Sequence, residues 1–255
     1  MPELDIEIFG GGPDLVLLHS LLTDRTSYRA LIDRLSGKRR LIVINMPGFG
    51  SSPPATPLAG YASGIVGAMD DLGLPQSTDV LGNGLGGFVA LRMAIDHPGR
   101  FNRMALLGSA IAFPEAGRAT FRTLAEKATS VGMAAISGAA MQRMFPPAFA
   151  EGHPDIVADR TAVFQSIDPG IFAAACLALA ELDLSAELSG IGNRVLIVTG
   201  AEDGATPPAL GAALAEALPD GQFIELAGAG HAPHIQATDR LVEIISPFLG
   251  LSHDA

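Results

Sequence analysis

One cysteine, Cys176, stands alone in 255 residues. No intrachain disulfide can staple this fold, and a reducing compartment suits it. The alanine-rich surroundings of Cys176 predict a buried small hydrophobe rather than a reactive thiol. Basic residues are also scarce: 16 Lys and Arg face 27 Asp and Glu, for a formal net charge of −11. That balance argues against nucleic acid or an anionic membrane surface as the main partner. The charges are scattered without long runs, as on a solvated surface. No apolar stretch is long and uninterrupted enough to span a bilayer. The opening residues Met1-Pro2-Glu3-Leu4-Asp5 lack the basic segment and apolar run of a secretory signal, so a cytoplasmic location is expected. No internal repeat or low-complexity linker stands out.

Apolar residues are plentiful, at 48%, enough to build the core of one large α/β domain with an insertion. Residues 4–9 alternate apolar and acidic, which suits an antiparallel edge strand. Leu15-Val16-Leu17-Leu18, Leu41-Ile42-Val43-Ile44, Met104-Ala105-Leu106-Leu107 and Val195-Leu196-Ile197-Val198 are short continuous apolar runs, the pattern of strands buried on both faces. A last strand is expected over 222–226. Helical segments fall between these runs, at 27–35, 58–72, 85–97 and 208–218, and an amphipathic helix over 235–249 closes the chain. The alternation predicts a mostly parallel central sheet covered by helices on both faces.

The rhythm breaks between Phe113 and Glu187. No buried strand appears there, and alanine, methionine and helix formers dominate, punctuated by Pro146, Pro147, Pro154 and Pro169. Residues 113–187 therefore read as a helical cap, with 1–112 and 188–255 forming the core. Most apolar residues of a cap must pack on the domain beneath it. Met133, Met144 and Phe145 are expected to reach the wall of a substrate pocket.

One absence bears directly on chemistry. Val80-Leu81-Gly82-Asn83-Gly84-Leu85-Gly86-Gly87 has the layout of a nucleophile elbow, G-x-S-x-G, in which a strand turns sharply into a helix and lifts the middle residue above the sheet. Gly84 occupies that middle position. Neither serine, cysteine nor aspartate is there, so covalent attack from this residue is excluded. Glycine enters the positive-φ conformation of an elbow almost without cost, whereas another residue gives up about 1–3 kcal/mol.

Two other segments and an acid–base pair lie at strand ends in an informative order. Leu17-Leu18-His19-Ser20-Leu21-Leu22 follows the second strand, and Asn45-Met46-Pro47-Gly48-Phe49-Gly50-Ser51-Ser52 the third. Asp203 follows the Val195 strand, and His231 lies on the loop after the 222–226 strand. Asp203 would accept a hydrogen bond from one His231 nitrogen, leaving the other facing the space above Gly84. Ser20 and Asn83 are expected as polar substrate contacts beside the elbow. Ser20 and Ser109 are the serines nearest the site, and both are expected to hydrogen-bond backbone rather than attack a substrate. His231 and Asp203 have no further ligand cluster around them, so neither metal nor organic cofactor is expected.

These four segments, in this order, resemble the α/β-hydrolase superfamily. The cap segments Gly132-Met133-Ala134-Ala135, Phe145-Pro146-Pro147-Ala148-Phe149, His153-Pro154-Asp155 and Asp168-Pro169 are similar to those of 3-oxoadipate enol-lactonases. The elbow also resembles that of meta-cleavage-product C–C hydrolases. The resemblance implies an oxyanion hole formed by the backbone N–H groups of Leu21 and Leu85, each able to lower an acyl-transfer barrier by roughly 3 kcal/mol. It implies a small ester, lactone or vinylogous ketone as substrate, with a homo-oligomer also compatible. The chain departs from the pattern at Ser20 (usually Gly), Asn45 (usually Asp), Gln236 (often Glu) and Gly84. Three readings of Gly84 follow: an inactivated serine hydrolase, an enzyme in which His231 and Asp203 act as a non-covalent general base, or a silent ligand-binding protein on a hydrolase scaffold.

Overall fold

The computed structural model describes residues 3–55 and 57–251. Seven strands form one sheet: β1 (Ile6–Phe9), β2 (Asp14–Leu18), β3 (Arg40–Ile44), β4 (Asp79–Asn83), β5 (Met104–Leu107), β6 (Val195–Gly200) and β7 (Gly221–Leu226). Their spatial order is β1-β3-β2-β4-β5-β6-β7. Only β1 runs antiparallel, pairing Ile6 with Ile44 at the sheet's edge; the other pairs are parallel. The interior strands β2, β4, β5 and β6 are buried along their whole length. Continuous apolar runs are what a parallel sheet covered on both faces requires.

The order of the strands places the site. The chain moves from β2 outward to β3, then returns to lay β4 on the other side of β2. Loops leaving the carboxyl ends of β2 and β4 therefore diverge around a crevice, the switch point where open α/β sheets bind ligands. Ser20 follows β2, and Gly84 follows β4.

Between β5 and β6 the chain makes five α-helices, Glu115–Val131, Met133–Met144, Pro147–Gly152, Pro154–Ser166 and Pro169–Ala180, and then a 3-10 turn, Leu188–Gly190. The last three α-helices each begin on a proline, whose fixed φ suits the first helical turn and whose missing N–H costs nothing there. Two arginines fasten this insertion. Arg118 donates to the carbonyls of Phe113, Ala180 and Leu182, drawing its two ends together. Buried Arg160 donates to the hydroxyls of Thr23 and Thr26 on the loop after β2. Cys176 is fully buried in the last of these α-helices, and burial pushes its thiol up to about 12.

Two expected helices differ in detail. The segment expected at 27–35 opens as a 3-10 turn, Arg25–Tyr28, before the α-helix Arg29–Leu35. The Asp24 carboxylate accepts from the Thr26 N–H at 3.0 Å and tightens that first turn. The closing helix is two pieces, Pro233–Gln236 and Thr238–Leu249, broken at Ala237 (φ −142°, ψ 46°). The Thr238 hydroxyl donates to the His234 carbonyl across the break at 2.8 Å. Among the described residues no single helix is long and apolar enough to cross a membrane.

Candidate active site

The elbow is formed. Gly84 joins β4 to the helix Leu85–Asp96 with φ 51° and ψ −115°, a conformation that an L side chain rarely adopts. Its N–H donates to the Leu107 carbonyl of the neighbouring strand. The volume a side chain would fill is already taken. A Cβ on Gly84 would lie 2.7 Å from His231 Nε2 and 2.8 Å from Ser20 Oγ.

His231 and Asp203, expected to pair from their places after successive strands, do meet. His231 Nδ1 lies 2.9 Å from one Asp203 oxygen and 3.1 Å from the other. A carboxylate can only accept, so Nδ1 carries the proton and Nε2 presents a lone pair towards Gly84. Asp203 is saturated: it also accepts from the N–H groups of Ala205 and Thr206 and from the Thr206 hydroxyl, each at 2.8 Å. Burial works to raise the Asp203 carboxyl. The adjoining His231 ring and the Thr206 and Ala205 N–H groups outweigh it and hold the group below the ordinary carboxylate range. Gly108, at φ 61° after β5, makes room for the pair; a Cβ there would lie 2.7 Å from Asp203 Oδ2 and 2.9 Å from His231 Nδ1.

The histidine loop is held from three sides. The His231 N–H donates to the Met144 carbonyl at 3.1 Å, and Asn83 Nδ2 donates to the His231 carbonyl at 2.9 Å. Gln236 Oε1 accepts from the N–H groups of Gly230 and Ala232 on either side of the histidine. A Glu at 236 would offer the same acceptor, so this departure from the family pattern preserves the brace. Asn45 also spans the gap left by a missing Asp, accepting from the Arg25 N–H and donating to Asp5.

The loop after β2 is fixed by His19. One ring nitrogen donates to the Ser20 carbonyl at 2.9 Å, and the other accepts from the Met46 N–H at 3.1 Å. Burial pulls His19 down to about 4, against the Ser20 carbonyl and the charge of Asp24, so the ring is neutral and keeps this pattern near pH 7. The backbone N–H groups of Leu21 and Leu85 have no acceptor among the described residues. Buried donors without partners at the rim of a cavity are suited to a developing oxyanion.

Ser20 Oγ lies 3.3 Å from His231 Nε2 and accepts from the Leu22 N–H at 3.4 Å. The expected backbone bond is present, but the histidine contact was not anticipated. Ser109 has no such bond: its hydroxyl is buried without a partner among the described residues, packed against Gly87.

A cavity of about 30 Å³ lies over Gly84, lined by Ser20, Leu21, Leu85, Phe121, Arg143 and His231, among others. That is space for a water or two, well below the few hundred Å³ of a typical ligand pocket. A ligand larger than that would enter only with a shift of the lining side chains. A larger cleft of about 510 Å³ lies between β1 and the helix Ala59–Asp71, but it holds none of these groups. Asn83, Met133, Met144 and Phe145 do not border the 30 Å³ cavity. Both donors of Asn83 are spent on the Leu107 and His231 carbonyls. The Met133, Met144 and Phe145 side chains are buried in the apolar core, so none of the four contacts this space as expected.

Arg143 is the side chain the sequence left unnoticed. It borders the cavity and makes one long bond, 3.5 Å to the Ala205 carbonyl. No carboxylate among the described residues pairs with it. Burial lowers its pKa, partly offset by the charge of Asp203. Its position in the Met133–Met144 helix carries no motif that would have flagged it. Thr206 was more accessible to inference, since an Asp followed three residues later by Thr is a turn-forming spacing.

The family model for the alpha/beta hydrolase fold matches residues 13–238. The chain is 30% identical to a pimeloyl-[acyl-carrier protein] methyl ester esterase of Aeromonas hydrophila, over 97% of this chain and the whole of that one. It is 29% identical to 3-oxoadipate enol-lactonase 2 of Acinetobacter baylyi, over 91% of this chain and 88% of that one. The crystal structure of the enol-lactonase from Burkholderia xenovorans LB400 superposes with a TM-score of 0.90 at 28% identity, covering 97% of this chain and 96% of that one.

Proposed function

Because the chain belongs to the α/β-hydrolase family, we propose that it hydrolyses a small ester or lactone at the His231 end of the 30 Å³ cavity. The observation that carries this reading is the His231–Asp203 pair bordering a cavity also lined by Leu21 and Leu85, whose backbone N–H groups lack acceptors among the described residues. His231 Nε2 takes the proton of the attacking group as that group adds to the carbonyl carbon. Asp203 holds the ring in the right tautomer and stabilises the imidazolium that forms. Leu21 and Leu85 N–H groups receive the carbonyl oxygen as its charge develops. The imidazolium then returns the proton to the leaving alkoxide. Gly84 supplies no attacking atom, so the oxygen that adds comes from water or from another side chain.

Arg143 sharpens the substrate class. A partly buried guanidinium without a carboxylate partner among the described residues favours a substrate that carries its own carboxylate away from the reacting carbonyl. The test is hydrolysis of a panel of short p-nitrophenyl esters, methyl esters and enol-lactones, with acid and alcohol products identified by chromatography. Turnover of an ester or lactone, faster for members with a distal carboxylate, is the expected result. No hydrolysis of any member, with ligand affinity retained, would favour the reading of a silent binding protein.

A further inference from the structure

The hydroxyl missing from the elbow has a counterpart one loop away, and we propose that Ser20 is the attacking residue of this site. The inference rests on the hydrolase reading above. Four observations carry it.

First, Ser20 Oγ lies 3.3 Å from His231 Nε2, the nitrogen left with a lone pair while Nδ1 keeps its proton and donates it to Asp203 in a hydrogen bond. Ser20, His231 and Asp203 thus form a continuous hydrogen-bonded chain, and each is nearly inaccessible to solvent. Second, the direction of that bond is set. With the ring proton on Nδ1, Nε2 can only accept, so the Ser20 hydroxyl donates to it, while the Leu22 N–H donates to Ser20 Oγ at 3.4 Å. The same N–H steadies negative charge on the oxygen as the proton departs.

Third, the arrangement exists because position 84 is glycine. A Cβ there would stand 2.8 Å from Ser20 Oγ and 2.7 Å from His231 Nε2, separating the two. The glycine at the elbow and the serine in the neighbouring loop are complementary. Neither departure from the family pattern makes the same sense alone. Fourth, Ser20 borders the cavity, and the N–H of the next residue, Leu21, has no acceptor among the described residues. Nucleophiles of this kind commonly receive the oxyanion on the N–H of the residue that follows them.

The reaction balances. Ser20 Oγ adds to the ester carbonyl carbon while its proton passes to His231 Nε2. The tetrahedral adduct collapses, breaking the bond to the leaving oxygen, which takes the proton from His231 and departs as an alcohol. Water then adds to the Ser20 acyl ester with its proton going to His231, and Ser20 Oγ leaves and recovers that proton. The sum is ester plus water to acid plus alcohol, with no other reactant.

The probe is an alkyl fluorophosphonate, which phosphonylates an activated serine with loss of fluoride. Intact mass and peptide mapping of the unaltered chain should show one adduct, on Ser20, without any need for turnover. The Ser20→Ala chain should take up none. His231→Ala should be labelled at least about 100-fold more slowly, since its base is gone. In parallel, Ser20→Ala should lose ester turnover by on the order of 10³-fold or more, while Ser20→Cys should accumulate a thioacyl adduct visible by mass. An adduct elsewhere, or none, overturns the proposal. Ester hydrolysis that survives in Ser20→Ala but disappears in His231→Ala also overturns it, and leaves the hydrolase reading standing with water as the attacking group. No hydrolysis and no adduct in any form overturns both.

Discussion

Ser20 Oγ and His231 Nε2 meet 3.3 Å apart in the volume that a side chain on Gly84 would occupy. An empty nucleophile position suggests vacated space. The space is instead filled by a hydroxyl and an imidazole that a Cβ would push apart.

This reverses the usual expectation for the elbow. Restoring a side chain here is costly, because Gly84 has φ 51° and two polar groups lie within 2.8 Å of the added atom. Gly84→Ala should lower stability by about 1–3 kcal/mol and also suppress ester hydrolysis, although it removes no reactive group. Chemical denaturation and initial rates on one preparation check both. An active Gly84→Ala chain would mean that the Ser20–His231 contact is dispensable.

Asp203 fixes the tautomer of His231 through Nδ1. Asp203→Asn can present its amide N–H to that nitrogen, which would drive the proton to Nε2 and remove the acceptor facing Ser20. Turnover should fall by up to about 10⁴-fold with little change in KM, as tautomer reversal does in serine hydrolases. Steady-state kinetics at saturating ester distinguishes this from loss of binding.

Acid should destabilise the fold through two buried histidines. Burial holds His234 down to about 3, aided by the positive charges nearby, and His19 down to about 4. Both are neutral in the folded chain while the unfolded chain protonates near the ordinary value of about 6.5. Their folded pKa values are depressed, so the unfolded state binds the extra protons and stability falls with falling pH. The loss is about 1.4 kcal/mol per pH unit per histidine, from about 6.5 down to about 4 for His19 and about 3 for His234. Neither His234 nitrogen has a hydrogen-bond partner among the described residues, and its ring lies 4.7 Å from that of Tyr28. His234→Phe should therefore remove one share of this loss, read as a shallower drop in urea midpoint between about pH 7 and about pH 5.

Arg143 should govern preference rather than rate. Arg143→Met keeps the apolar stem against the cavity wall but removes the charge. For a substrate with a distal carboxylate, KM should rise on the order of 10-fold or more, as loss of a charge-assisted bond implies. For a neutral p-nitrophenyl ester it should change little. Parallel KM measurements on the two substrates check the difference, and an equal change for both would remove Arg143 from substrate recognition.

Much of this architecture was legible in the chain. Leu15–Leu18 and Val195–Val198 are continuous apolar runs because strands buried on both faces have no polar side, and their ends fix where Ser20 and Asp203 must lie. The His231–Asp203 pairing followed from that order. What escaped was set by side-chain packing across distant segments, to which local pattern is blind. Arg143 reaches the cavity from an insertion helix, while Met133, Met144 and Phe145 turn into the core. Asn83 looked like a substrate contact and instead ties the His231 loop to β5. Gly84 showed that a nucleophile was missing; only the folded chain shows that Ser20 stands against the histidine it would have used.

The most direct test of the account is the initial rate of hydrolysis of a short p-nitrophenyl ester by the unaltered chain and by His231→Ala, each verified as folded. The account predicts turnover in the first and a loss of about 10³-fold or more in the second, the effect of removing a triad base. Equal rates in the two chains, or none in either, would contradict it.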